Sequence, residues 1–363
     1  MTESHQRVEA AVAAFARGEV IVVTDDDDRE NEGDLFVAAS LCTAEKMAFI
    51  IRNTSGIVCA PLSADEARRL RLDPMVAAND APLGTAFTIT VDVRHGLTTG
   101  ISAEERNNTV RALANGNSGA ADFVRPGHVF PLVAKDGGVL MRSGHTEACI
   151  DLCRLAELPP VGVLSELMND DGTVMRGPDV AAFAARHKLA QISIADLIAY
   201  RQAREKLVKR VGEFPVKSQI GSLAGYAYVT PFDAVHHIAV VYGKIGDGQN
   251  VLARLHRADI IGDTFGPTNS VHLALQRLKE EGRGVIVILR DGAAGVPTHG
   301  IPSDDKSSDA VRNQQWREVG LGAQILKDLG ISSIRLLTSS ARRTYVGLAG
   351  FDIEITGIEP IDG

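Results

Sequence analysis

Residues 20–40 read VIVVTDDDDRENEGDLFVAAS: two apolar runs separated by a block of carboxylates without a spacer. Short runs of β-branched and aliphatic residues bounded by a Gly break on one side and charge on the other read as buried strands. Crowded carboxylates repel one another, so their clustering calls for either free solvation or a cation. An arbitrary Asp run is most simply a solvated turn. Here Arg29, Glu30, Asn31, Glu32, Gly33 and Asp34 follow at once and an apolar strand begins directly after them, so several of these groups belong at the rim of the core. Hard divalent cations such as Mg²⁺ bind through one or two carboxylates and fill their other positions with water and substrate oxygens, which Glu30 or Glu32 would suit. Arg29 adds a planar fork for a phosphate or carboxylate.

The rest of the chain alternates strand-like and helical segments, which predicts a mixed α/β protein. At 363 residues it exceeds what one hydrophobic core organises, so two domains are expected. In the first half, helical patterns cover Val8–Phe15, AEKMAFIIRNT, ADEARRL, SAEERNNTVRALA (capped by Ser102), HTEACIDLCRLA and PDVAAFAARH. Between them GIVCAPL, TAFTITVDV, VFPLVA, GVLMR, VGVLSELM and LAQIS read as strands. A helix IADLIAYRQAREKLVKRV turns basic at its end, and the composition changes there, placing the boundary near Arg204–Gly212. The expected domains are therefore 1–205 and 213–363. The second opens with strands YAYVTPF, HHIAVVYGKI and VLARLHRA. It continues through helix NSVHLALQRLKEEG, strand VIVILR, the polar loop HGIPSDDKSSDAVRNQQ, helix LGAQILKDLG and strands IRLLT and FDIEITGIEP.

A net charge of −8 leaves no basic footprint for nucleic acid or an anionic membrane. No apolar run reaches the roughly 20 residues a spanning helix needs, and the N-terminus has no signal-peptide core, so a cytoplasmic protein is expected. Cys42, Cys59, Cys149 and Cys153 are few and scattered, as reduced thiols are.

Four further stretches carry candidate chemistry. In MRSGHTEA, Met141–Ala148, a turn rich in Ser, Gly and Thr opens a helix and offers backbone N–H groups to an anion, with Arg142 adding charge. His145 within it suits a metal ligand or a proton carrier. GLTTGIS, Gly96–Ser102, is either a phosphate cradle or an ordinary capped loop. RPGHVFP, Arg125–Pro131, holds His128 in a restrained turn suited to acid–base work, and Glu166 sits at the end of an apolar run that would raise its pKa. Together these residues describe a metal-dependent enzyme acting on a small phosphorylated polyhydroxy compound.

Over about residues 5–200 the motifs DDDDRENEGDL, SGIVCAPL, TTGISAEER, RPGHVFPL, GGVLMRSGHTEA and ELMNDDG occur in the order of the 3,4-dihydroxy-2-butanone 4-phosphate synthases, which this half resembles. The resemblance implies conversion of ribulose 5-phosphate to a four-carbon phosphate and formate in riboflavin biosynthesis. It implies Mg²⁺ or Mn²⁺, up to two ions per site, on Glu30 and His145. Arg29, Glu30, Asp34, Arg142, Ser143, Gly144, His145 and Thr146 would touch substrate, and His128 and Glu166 would carry the proton transfers. A homodimer is implied as well. Glu105 departs from the pattern, which more often has Asp before Arg106.

The second half resembles GTP cyclohydrolase II through RLHRADIIGDTFG, GRGVIVILRDG and REVGLGAQILKDLGISSIRLLTSSARR. That chemistry needs Zn²⁺ on three cysteine thiolates, yet no cysteine follows Cys153, and Asp259 stands about where the first ligand belongs. The resemblance thus implies a monofunctional synthase with a degenerate second domain that holds no zinc. A bifunctional enzyme, or a second domain serving binding or assembly, are the alternatives.

Overall fold

The computed structural model describes residues 3–25, 30–231, 235–266, 269–290, 320–338 and 353–361. The chain divides into two compact units, Met1–Tyr200 and Arg201–Gly363. That division falls a few residues before the boundary expected from composition.

The first unit is built on strands β1 (Ile21–Thr24), β2 (Gly33–Ala38), β3 (Cys59–Leu62), β4 (Val91–Val93), β5 (Phe123–Val133), β6 (Gly162–Glu166) and β7 (Gln191–Ser193), ordered β4-β5-β3-β6-β2-β1-β7. The pairs β1/β7 and β3/β5 are parallel and β1/β2, β2/β6, β3/β6 and β4/β5 antiparallel, so the sheet is mixed. Every residue of β2 is buried, which requires cover on both faces. Leu35 and Val37 join one core with Met47, Ile50, Val110, Leu113, Val180 and Phe183 from helices Ala44–Asn53, Ala103–Leu113 and Gly177–His187. Phe36 points the other way, its ring 6.0 Å from His145 at the start of helix His145–Leu155. Alternation along one strand thus divides the molecule into layers and sends one side chain to the functional histidine.

The second unit has strands β8 (Lys209–Ser218), β9 (Gly221–Val229), β10 (His237–Tyr242), β11 (Val251–Arg257), β12 (Gly284–Leu289), β13 (Ser333–Thr338) and β14 (Glu354–Pro360), ordered β14-β13-β11-β12-β10-β9-β8. Helix Ser270–Glu281 packs Ala274, Leu275 and Leu278 against Leu252 and Ile286 of that sheet. The polar loop expected at 299–315 lies outside the described residues.

Four local expectations need correction. The helix expected through Val211 ends at Arg204, and Lys209 already begins β8. The residues from Lys209 alternate at a period of two and pair with β9 as the outer strand, where Pro215 is tolerated because no neighbour needs its missing N–H. Arg210, which read as a helical tail, lies 4.8 Å over the Tyr226 ring and bonds Asp328 at 2.7 Å. The stretch GVLMR is a 3₁₀ turn, Gly138–Leu140, not a strand. At Gly138 φ is +63°, and a Cβ there would fall 2.0 Å from Asp151 Oδ1, so the turn demands glycine. Finally, His128 lies inside β5 rather than in a turn, while only Val91–Val93 of TAFTITVDV is strand.

Candidate active and metal site

Antiparallel pairing of β2 with β6 sets Asp34 opposite Glu166. Cys59 of β3 pairs with Leu164 of β6 and with Phe130 of β5. Before Cys59 the pairing with β6 shifts, Thr54 bridging Leu167 and the Ser55 N–H donating to Glu166 O at 2.9 Å, so Asp34 and Glu166 lie at one end of the sheet with Ser55 beside them.

Beyond that sheet end the loop from β1 to β2 folds back through Asp25. Its carboxylate accepts the backbone N–H of Glu30 at 3.0 Å and of Glu32 at 2.9 Å. Glu30 Oε2 thereby stands 3.6 Å from His145 Nδ1, and Asp34 Oδ1 stands 4.0 Å from His145 Nε2. Ligand atoms of Asp25, Glu30 and His145 all lie within 4.8 Å of one another, the one such group of three among the described residues. Asp34 Oδ1 and His145 Nε2 are buried and have no hydrogen-bond partner among the described residues. Buried polar atoms without partners are costly, and a cation seated between an imidazole and carboxylates relieves that cost. The donor set therefore fits a hard or borderline divalent cation.

The electrostatics agree. Burial, with Glu166, Glu30 and Glu32 adding repulsion, pushes the Asp34 carboxyl up to about 7 against the attraction of His145. Burial works against charge on His145, but Asp34, Glu30 and Asp25 outweigh it and raise the imidazole to about 9. Glu32 is raised by burial and by Glu30, Glu166 and Asp25. Every one of these groups registers excess negative charge in one place.

Glu166 Oε2 accepts from Ser55 Oγ at 2.8 Å, which fixes the carboxylate at the strand end. His128 Nδ1 is 2.7 Å from Asp92 Oδ2, and Asp92 Oδ1 accepts the His128 backbone N–H at 2.9 Å. Asp92 is buried while the His128 side chain is 43% exposed. The carboxylate thus selects the Nδ1–H tautomer and leaves Nε2 as the working nitrogen.

Arg142 is engaged within the protein. Its Nη1 bonds the buried Glu147 carboxylate at 2.7 Å, and its Nη2 reaches Leu83 O at 3.2 Å and Thr85 Oγ1 at 3.1 Å. It braces the turn into helix His145–Leu155, where Gly144 is the N-cap and no side chain caps the helix. Ser143, His145 and Thr146 are buried around that helix start. Arg29 lies outside the described residues.

Sequence reasoning passed over Asp92, Asp25, Glu147 and Ser55. Asp92 carried no readable signal, because it falls in the polar phase of the alternating run TAFTITVDV and only folding buries it. Asp25 was one of four aspartates, and nothing in the run distinguishes the one bonded to the loop backbone.

In the second unit Asp259 caps helix Ile260–Phe265, its Oδ1 accepting Gly262 N–H at 3.0 Å. His256 Nε2 is held by Asp263 at 2.8 Å, and Arg254 Nη2 donates to Ser270 Oγ at 3.0 Å. No helix among the described residues is long and apolar enough to cross a membrane.

Comparison with known proteins gives the same division of the chain. The family model for 3,4-dihydroxy-2-butanone 4-phosphate synthase matches residues 9–200, and that for GTP cyclohydrolase II matches residues 209–360. The riboflavin biosynthesis protein RibBA of Salinispora arenicola (strain CNS-205) is 45% identical over 367 residues, 96% of this chain and 87% of that protein. A crystal structure of RibBX, a two domain 3,4-dihydroxy-2-butanone 4-phosphate synthase from A. baumannii, is 35% identical. It superposes with a TM-score of 0.81, covering 97% of this chain and 99% of that one. A 3,4-dihydroxy-2-butanone 4-phosphate synthase in complex with two magnesium ions is 44% identical at a TM-score of 0.54, covering 54% of this chain and 97% of that one. Matched along nearly its whole length, the chain belongs to the 3,4-dihydroxy-2-butanone 4-phosphate synthase family of riboflavin biosynthesis, with the synthase domain fused to a GTP cyclohydrolase II domain.

Proposed function

We propose that the first domain converts ribulose 5-phosphate to 3,4-dihydroxy-2-butanone 4-phosphate and formate with a divalent cation, Mg²⁺ or Mn²⁺, held by Glu30 and His145. The carrying observation is the convergence of Asp25, Glu30 and His145, whose ligand atoms all lie within 4.8 Å of one another. The two magnesium ions of the related synthase structure support the choice of metal and a count of up to two. When bound, such a cation supplies Lewis acidity toward the ketone and the enediolate charge.

The chain's own residues do the rest. His128, its tautomer set by Asp92, takes and returns protons at Nε2. Glu166, steadied by Ser55 and opposite Asp34, serves a second proton position. Asp34 and Glu30 orient substrate hydroxyls, with Arg29 joining them. The helix start at Ser143–Thr146 receives anionic or hydroxyl oxygens through its first-turn N–H groups, and Arg142 holds that turn in place. A homodimer belongs to the same reading, as the resemblance to the synthases implies.

For the second domain we propose that no GTP is opened, because no cysteine follows Cys153 and Asp259 is occupied as a helix cap. Incubating the protein with ribulose 5-phosphate and Mg²⁺, and separately with GTP, and following formate tests both halves. Formate is expected from the pentulose phosphate alone. Its absence there would overturn the synthase reading, and formate from GTP with bound zinc would make the enzyme bifunctional.

A further inference from the structure

We infer that Glu105 is a positioning residue for the proton-transfer pair, acting through the 98–102 loop that it holds against Asp92 and His128; this rests on the role given to His128 above. Glu105 belongs to the first turn of helix Ala103–Leu113 and forms a capping box with Ser102. A capping box needs only that reciprocal pair. Glu105 does more: its Oε1 accepts both the backbone N–H and the hydroxyl of Thr98, each at 2.7 Å, bonds that add nothing to the helix and serve the loop before it. Its Oε2 accepts Ser102 Oγ at 2.8 Å, so one carboxylate closes both ends of the loop.

Between those ends the backbone passes over the Asp92–His128 hydrogen bond. At Gly100 φ is +83°, and a Cβ there would lie 2.2 Å from Asp92 Oδ2 and 2.6 Å from His128 Nδ1. Burial reaches this loop only at Gly100, since Thr98, Thr99 and Ser102 are exposed and Ile101 is 54% exposed. Its position depends on the Glu105 carboxylate, which the Thr98 side chain and backbone, with Gly100 and Ser102, hold well below the usual carboxylate range. A second tie runs through the same helix turn. Thr109 Oγ1 donates to Glu105 O at 3.0 Å and accepts Val93 N–H at 3.0 Å, joining the helix to the strand that carries Asp92. Loosening the loop admits water to the bond that selects the imidazole tautomer, and the working nitrogen is no longer fixed.

The test is ¹⁵N-histidine NMR and steady-state kinetics on the full-length protein as wild type, Glu105→Gln, Glu105→Asp and Thr43→Ala. Thr43 caps the separate helix Ala44–Asn53 and controls for a general loss of stability. Wild type is expected to show His128 as the Nδ1–H tautomer. Glu105→Gln is expected to show a tautomer mixture, with kcat down roughly 10- to 100-fold and KM changed far less. Glu105→Asp should restore much of both, and Thr43→Ala should change neither. A Glu105→Gln protein with the wild-type tautomer and kcat, merely less stable like Thr43→Ala, would overturn the inference. A wild type that releases no formate would instead defeat the synthase reading, while the tautomer signal would still judge Glu105.

Discussion

One carboxylate, Asp92, binds the His128 backbone and ring together, so an exposed imidazole is oriented by a buried acid. Removing the imidazole should cost chemistry and little else. His128→Ala is expected to lower kcat by roughly 10²–10⁴-fold while Tm and metal affinity stay near wild type, and undiminished turnover would contradict its role. The buried groups of the acidic site predict a pH effect on stability. With cation chelated, Asp34 holds its proton more tightly folded than unfolded between its ordinary 3.8 and about 7, so stability falls as pH rises through that window. His145, raised from 6.5 to about 9, contributes stability that is complete below 6.5 and lost as pH climbs through 9. Thermal melts in chelator should therefore show a lower Tm near pH 9 than near pH 6, and the slope should flatten in Asp34→Asn. At this scale Glu30, Asp34 and His145 were legible because each stands in an unbroken run of chemically distinctive neighbours. Asp92 was not, because its partner lies 36 positions away and only folding pairs them.

Among the elements, β2 does two jobs with alternate residues, Leu35 and Val37 filling one core and Phe36 backing the His145 ring from the opposite face. Phe36→Leu should destabilise by about 1 kcal/mol and weaken cation binding roughly 10-fold by freeing the imidazole. Calorimetric titration with Mn²⁺ measures the second effect, and unchanged affinity would show that Phe36 only fills space. Most helices and strands were readable from periodicity, including the Ser102 cap. The failures share a cause. Lys209–Val211 continued a helical pattern but were claimed by pairing with β9, a tertiary preference that local sequence does not display. GVLMR is apolar enough for a strand, yet Gly137 and Gly138 both take positive φ, and the carboxylate that fixes the turn comes from Asp151 on the next helix.

For the whole molecule, two compact units of mixed sheet follow the two family matches, and the change of composition near the join made them legible. The synthase motifs fall on strands, helix starts and the loops beside them, and the fold brings Glu30, Asp34 and His145 together from positions that sequence order keeps apart. The second domain keeps a buried sheet core, and its Asp259 caps helix Ile260–Phe265. Metal analysis after Zn²⁺ exposure and dialysis should find no zinc retained by that domain, and stoichiometric zinc would contradict this. The central claim is that Glu30 and His145 hold the cation on which turnover depends. Its most direct measurement strips the protein with chelator, titrates Mg²⁺ back, and follows formate from ribulose 5-phosphate for wild type and Glu30→Gln. The account predicts no formate without cation, saturable recovery in wild type, and weak recovery in the variant only at far higher Mg²⁺; full activity in chelator, or wild-type recovery by Glu30→Gln, would contradict it.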